Sequence, residues 1–228
     1  MSQPNDFDEF ANNYKGHVND ALGLFGGDVS YYVERKVQIL KISLAGQRVE
    51  RILDYGCGIG QAVPFLKSEF SPAVIVGSDM SAESLSVASS QFPYLETCTS
   101  DQLPDDFFDL IFVSNVLHHV EQVDRADVVQ ELCNKLRPGG KVAVFEHNPL
   151  NPITRRVVSN CIFDEGVELL SKSQVRKILL GTRLIYKVTS GYCMFVPERL
   201  QSLNWVERYL TLLPIGGQHY TVGTKRAA

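Results

Sequence analysis

The residues able to do chemistry fall in a few short stretches of this 228-residue chain. In Ile52-Leu53-Asp54-Tyr55-Gly56-Cys57-Gly58-Ile59-Gly60 an apolar run leads into glycine at every second position and then into helix-like sequence. Glycines in such a loop permit positive φ and let a ligand lie close to the backbone. Asp79 closes the next apolar run, where a carboxylate at a strand tip can accept hydrogen bonds from both hydroxyls of a ribose. Asp54 stands immediately before the loop, where its charge would repel a pyrophosphate but attract an ammonium or a sulfonium. Dinucleotide loops run GxGxxG, whereas here the third glycine is Gly60 and position 61 is Gln.

These residues therefore favour S-adenosylmethionine over a nicotinamide dinucleotide. A sulfonium gives up its methyl group by in-line displacement, for which alignment and exclusion of water are the main needs and a general base is an optional aid. Candidate bases lie beyond two further apolar runs: His118 and His119 in Asn115-Val116-Leu117-His118-His119-Val120, and Glu146 and His147 in Phe145-Glu146-His147-Asn148-Pro149. Glu146 and His147 are expected at the acceptor pocket as an imidazole base whose tautomer a carboxylate orients. His118 is a further catalytic candidate, against a role in ordering its loop, and the alternative for His147 is bracing the Asn148-Pro149 turn. A metal site needs three or four suitably placed ligands, and the acids and histidines are too dispersed along the chain to specify one.

The elements that must position these groups alternate. Nearly continuous apolar runs at Arg51 to Tyr55, Ala73 to Ser78, Asp109 to Ser114 and Lys141 to Glu146 read as strands covered on both faces. Helix-like stretches separate them at Gln61 to Glu69, Ala82 to Gln91 and Val123 to Leu136, the last closed by Arg137-Pro138-Gly139-Gly140. Such alternation implies right-handed crossovers and a doubly wound sheet. Residues 7–45 read as helical, with Val33, Val37, Leu40 and Leu44 at helical spacing. Asn148 to Leu170 is irregular and rich in turn signals, and Ser173 to Leu180 is a short helix opened by a serine. Apolar runs at Leu184 to Thr189 and Tyr220 to Thr224 flank a helical stretch from Glu198 to Leu213. Pattern alone leaves open whether those late strands pair parallel or antiparallel.

With 44% hydrophobic residues the chain can bury a full core as one domain. A net charge of -4 and scattered Lys and Arg argue against nucleic acid as a partner. Five cysteines without a CxxC pair read as reduced cytosolic thiols rather than a disulfide framework or a zinc site. No long apolar window or basic leader indicates membrane insertion or export, so a cytoplasmic protein is expected, of open oligomeric state.

The sequence resembles the class I S-adenosylmethionine-dependent methyltransferases over about residues 50 to 147. Asp54-Tyr55-Gly56-Cys57-Gly58-Ile59-Gly60 resembles their first motif, Gly77-Ser78-Asp79-Met80-Ser81 their second, Phe108-Asp109-Leu110-Ile111-Phe112 their fourth, and Leu136-Arg137-Pro138-Gly139-Gly140-Lys141 the turn before their fifth strand. The resemblance implies one Rossmann-like domain with a seven-stranded sheet in the order 3-2-1-4-5-7-6, strand seven antiparallel. Residues 1–48 would form a helical cap, 49–147 the cofactor-binding core, and 148–228 the acceptor-side lid and last strands.

It implies a ribose contact at Asp79, a backbone path for the methionine moiety at Gly56, Cys57, Gly58 and Gly60, and further cofactor contacts at Asp54, Met80, Ser100 and Asn115. The acid that would receive the adenine amino group departs from the family spacing before Leu103-Pro104. Asp101 or Thr99 fills that place, with Asp101 preferred. Phe10-Ala11-Asn12-Asn13-Tyr14 resembles a segment whose tyrosine closes over the cofactor carboxylate, unless Tyr14 only packs on the core. Aromatic residues in the cap and after residue 148, among them Phe25, Tyr31, Tyr32 and Phe163, point to a small, partly apolar acceptor, and O-methylation of a hydroxyl is expected. The competing readings are a nicotinamide-dependent oxidoreductase and a catalytically inactive cofactor-binding subunit.

Overall fold

The computed structural model describes residues 28–44, 46–161, 164 and 166–227. Tyr14, Phe25, Phe163 and Glu165 lie outside them. Seven strands, β1 (Arg51–Tyr55), β2 (Val74–Ser78), β3 (Glu96–Cys98), β4 (Phe108–Ser114), β5 (Leu136–His147), β6 (Ile185–Cys193) and β7 (Gln218–Lys225), form one sheet. Its order is β3-β2-β1-β4-β5-β7-β6. Strands β1 to β5 pair parallel, and β7 runs antiparallel to both β5 and β6. The order and the reversed last strand are those the family resemblance implies.

Strand periodicity sorts the core into two layers. Ile52, Ile75, Leu110, Phe112, Ala143 and Phe145 face Val33, Val37 and Leu40 of helix α1 (Val29–Ser43) and Val63, Leu66 and Phe70 of α2 (Val63–Phe70). Ala88 of α3 (Ala82–Gln91) joins that layer. The alternate positions Leu53, Val76, Ile111, Val113, Val142 and Val144 face Val129 and Leu132 of α4 (Arg125–Lys135) and Val175 and Leu179 of the later helix over Lys172–Gly181. Strand β4 is buried at all but its last residue, as a central strand covered on both faces must be. Removing one of its large side chains, such as Phe112, would cost about 3–5 kcal/mol through lost burial and the cavity left behind.

Three stretches depart from the sequence expectation. Between Asn148 and Leu170 the chain forms a helix, α5 (Pro152–Ser159), because Asn151 caps it by accepting from the Ile153 and Thr154 amides and Pro152 supplies a preset φ at the first turn. The same Asn-Pro pair that reads as a turn signal opens a helix here. Strand β5 begins at Leu136 and passes through Arg137-Pro138-Gly139-Gly140, with a register shift against β4 between Phe108 and Leu110. A Cβ at Gly140 would stand 2.9 Å from the carbonyl oxygens of Arg137 and Phe108, so only glycine admits this approach. The stretch after Glu198 is a 3-10 turn over Glu198–Val206, irregular at Leu200, followed by the single-turn helix α7 (Glu207–Leu210). Leu200, Leu203, Trp205 and Tyr209 are exposed there, so no buried stripe stabilises a regular helix. Helix α6 is the Lys172–Gly181 segment, and its cap is Ser171, locked with Gln174 in a capping box. Among the described residues no helix is long and apolar enough to cross a membrane.

Candidate active site

The carboxyl ends of β1, β2, β4 and β5 open into one cavity of about 800 Å³, toward the upper end of the roughly 300–1,000 Å³ of small-ligand sites. The loop after β1 curls through left-handed glycines, with φ of +71° at Gly56, +51° at Gly58 and +81° at Gly60. A Cβ on Gly56 would fall 2.4 Å from Val116 Cγ2, whereas one on Gly58 would meet nothing within 4 Å. Gly56 thus satisfies packing and Gly58 leaves the backbone open to a ligand. Asp79, at the tip of β2, braces the loop: its Oδ2 accepts the Gly58 amide at 2.8 Å and its Oδ1 the Ser81 amide at 2.9 Å. Each oxygen keeps further lone-pair capacity for a hydroxyl.

Asp54 is 3% exposed, and its Oδ2 has no hydrogen-bond partner among the described residues. Burial, reinforced by Asp79 and opposed by Lys36, pushes its pKa up to about 7. A buried, unsatisfied carboxylate oxygen beside an open glycine backbone is complementary to a cation with N–H donors. The ammonium of S-adenosylmethionine meets that need, and Asp79 stands where a ribose would follow, so the residues fit this cofactor.

Gly56, Cys57, Gly58, Met80, Ser100 and Asn115 line the cavity together with Asp54 and Asp79. Gly60 does not; its added Cβ would lie 3.0 Å from the Phe92 ring, which explains the residue by helix packing. Asp101 and Thr99 are both exposed outside the lining, and Ser100 is the residue of that turn that faces inward, 3.4 Å from Ser78 Oγ.

At the other end of the cavity imidazoles and carboxylates converge. Glu146 is fully buried and accepts the Leu117 amide at 2.8 Å while its second oxygen lies 2.5 Å from His118 Nδ1. Asp164, in the turn after α5, lies 3.2 Å from His118 Nε2, 3.4 Å from His119 Nε2 and 4.0 Å from His147 Nε2. Burial alone would lower the His118 pKa, but Glu146 and Asp164 outweigh it and raise it to about 9. For the two acids burial acts upward, and the imidazoles outweigh it and hold each at about 2. His147 and His119 behave oppositely, since burial and the neighbouring His118 charge lower both to about 4, so they are neutral near pH 7.

This arrangement redistributes the roles expected from sequence. Adjacent strand residues point to opposite faces, so Glu146 continues the Val142 and Val144 side while His147 continues the Ala143 and Phe145 side. Glu146 therefore orients His118, and the groups nearest the His147 ring nitrogens are Asp164 and Gln218, whose Nε2 is 3.5 Å from His147 Nδ1. Of the three catalytic candidates only His147 lines the cavity; His118 and Glu146 stand behind it, and His119 lines it beside His147. His219 is buried beneath the site with Nε2 on the Leu170 carbonyl at 2.8 Å. The dispersal that argued against a metal site is undone by folding: ligand atoms of His118, His147 and Asp164 lie within 4.8 Å of one another.

The roof is made of α1, α5 and the β6–β7 connection, tied together by side chains that bond backbone. Asn148 donates to the carbonyls of Pro214 and Gly216, and Asn151 to that of Ile215. Glu207 accepts the amides of Phe195 and Val196, and Tyr31 bonds the Val196 carbonyl. Val29, Ile153, Val157, Pro197 and Ile215 present an apolar lining between these ties.

Two lining residues escape a reading of sequence motifs. Lys36 is 3% exposed, donates to Ser114 Oγ at 2.8 Å and is lowered to about 8 by burial, against the pull of Cys193, Glu146 and Asp54. Its signal was a lysine three residues after Val33 and four before Leu40, inside the apolar stripe. Asp164 carried no local signal beyond Phe163-Asp164-Glu165.

Residues 53–144 match the family model described as a methyltransferase domain. A trans-aconitate 2-methyltransferase from Azoarcus is 35% identical over 96 residues, 41% of this chain and 37% of that protein. The chain spans well under two thirds of the length of such curated relatives. Among solved structures, an S-adenosylmethionine-dependent methyltransferase from Archaeoglobus fulgidus superposes with a TM-score of 0.65 at 16% identity, covering 87% of this chain and 95% of that one. The Haemonchus contortus phosphoethanolamine N-methyltransferase 2 in complex with S-adenosylmethionine gives a TM-score of 0.63 at 17% identity over 96% of this chain and 60% of that one.

Proposed function

Since the chain carries a class I S-adenosylmethionine-dependent methyltransferase domain, we propose that it methylates a hydroxyl of a small, partly apolar acceptor. The observation that carries this reading is the single cavity joining the Asp54, Gly58 and Asp79 end to the His119, His147 and Asp164 end beneath an apolar roof. When bound, the cofactor supplies a methyl group on a sulfonium, open to in-line displacement by an acceptor lone pair. Asp54 receives the ammonium and Asp79 the ribose, with Ser100 facing the adenosine side and Lys36 available to a carboxylate. Val29, Ile153, Val157 and Ile215 exclude water and hold the apolar part of the acceptor. His147 Nε2 takes the hydroxyl proton as the oxygen attacks, and Asp164 stabilises the imidazolium that forms.

The test is transfer of label from tritiated S-adenosylmethionine to a panel of hydroxyl, carboxyl and amine acceptors. An O-methyl product is expected, and His147→Ala should lower turnover by about 10²–10⁴-fold with affinity for S-adenosylhomocysteine unchanged. A product methylated on nitrogen or carbon, or near-normal turnover of the variant, would overturn the reading.

A further inference from the structure

The geometry points to a divalent metal site at the acceptor end of the cavity, with His118 Nε2, His147 Nε2 and Asp164 as ligands for a first-row transition ion such as zinc, cobalt or manganese. Two imidazole nitrogens and one carboxylate make a donor set of the kind that holds such ions while leaving coordination positions open. The three ligand atoms lie within 4.8 Å of one another, and the 3.2 Å from His118 Nε2 to Asp164 Oδ1 is near the edge of a tetrahedron with metal bonds of about 2.1 Å, while His147 Nε2 lies 4.0 Å from the other carboxylate oxygen, Oδ2.

The surroundings have the form of an outer shell. A metal-bound histidine usually donates its other ring N–H to a carboxylate, which fixes the tautomer and aims the free lone pair. His118 Nδ1 does this to Glu146 at 2.5 Å, and Glu146 is itself anchored by the Leu117 amide. His147 Nδ1 lies 3.5 Å from Gln218 Nε2, so an amide flip that turns the unpartnered Gln218 Oε1 toward it is needed to hold this ring in the same way. The positions left open would face the cavity, because His147 lines it and Asp164 does as well.

The ion's task rests on the proposed acceptor chemistry: in the metal-bound form an acceptor hydroxyl would bind at the open position and lose its proton to water, and the base role proposed above for His147 applies to the metal-free form.

The experiment reads binding without any methyl transfer. The full chain is stripped with EDTA, dialysed and titrated with Co²⁺, following visible d–d absorption, and with Zn²⁺, following the thermal midpoint. One Co²⁺ per chain with a visible band is expected, together with a Zn²⁺-induced rise in midpoint. His147→Ala and Asp164→Asn, each checked for fold by circular dichroism, should weaken Co²⁺ binding about 100-fold or more, since loss of an outer-shell partner alone costs 10–100-fold. Absence of stoichiometric Co²⁺ uptake, or uptake unchanged in both variants, overturns the site. EDTA-treated protein with full methyl transfer overturns the ion's task, while a product methylated elsewhere than on oxygen fails the acceptor reading and leaves the Co²⁺ result standing.

Discussion

Replacing Asp54 with Asn should push stability and cofactor affinity in opposite directions. In the folded chain burial raises this carboxyl from 3.8 to about 7. A raised acid stabilises the fold fully below its unfolded pKa and loses that contribution as pH rises through the folded one. Between pH 4 and pH 7 the wild-type protein without cofactor therefore gives up stability that the neutral amide keeps. At 1.36 kcal/mol per unit, the shift sets an upper limit of about 4 kcal/mol at pH 8. For a chain of this size each kcal/mol moves the thermal midpoint by roughly 2–4 °C. Asp54→Asn should thus match the wild type near pH 4 and exceed it by several degrees at pH 8. Binding should move the other way, because the charge-assisted bond from an ammonium to Asp54 Oδ2, worth about 1.5–3 kcal/mol, is lost. S-adenosylhomocysteine should bind Asp54→Asn about 10–150-fold more weakly by isothermal titration. A variant no more stable than wild type at pH 8, or one that keeps full affinity, would refute the claim that Asp54 is held unsatisfied for an ammonium.

Asp79→Ala should also weaken S-adenosylhomocysteine binding by about 10–150-fold through lost charged acceptors, read by the same titration; unchanged affinity would remove Asp79 from the ribose. Ser100→Ala should cost up to about tenfold while Asp101→Ala costs nothing measurable, because only Ser100 lines the cavity; the reverse order would return the adenine contact to the exposed acid. Glu146→Gln should destabilise the fold by about 3–5 kcal/mol in urea denaturation, since it leaves the buried His118 imidazolium short of a partner. A loss below about 1 kcal/mol would mean that the pair is worth no more than a surface ion pair.

What could be read from sequence was local. The glycine loop, Asp54 and Asp79 lie on one strand–turn–helix unit and the strand after it, so spacing alone fixes their relation. Nearly continuous apolar runs marked β1, β2 and β4 to within a residue, and the Ala82 to Gln91 helix fell where its pattern put it. The acceptor end was opaque because it is tertiary: Asp164 meets His118 across 46 residues, a pairing that no local spacing encodes. Pairing Glu146 with His147 failed for a reason available in advance, that neighbours on a strand face opposite ways. Helix α5 was missed because Asn151-Pro152 serves a turn and a helix start equally well. Lys36 was hidden among apolar neighbours, where a lysine is ordinarily a break in the stripe rather than its functional point.

The ties beneath the roof bear on how this protein could change its chemistry over generations. Asn148, Asn151 and Tyr31 hold the roof segments by grasping backbone carbonyls, which every residue type offers, and Glu207 by grasping amides, which every type but proline offers. The side chains that would touch an acceptor, Ile153, Val157, Pro197 and Ile215, take no part in those bonds. Shape and polarity of the lining can therefore drift by single substitutions while the frame that carries it stays intact. A lineage with this roof could explore new acceptors by point mutation, without first surviving a loss of fold.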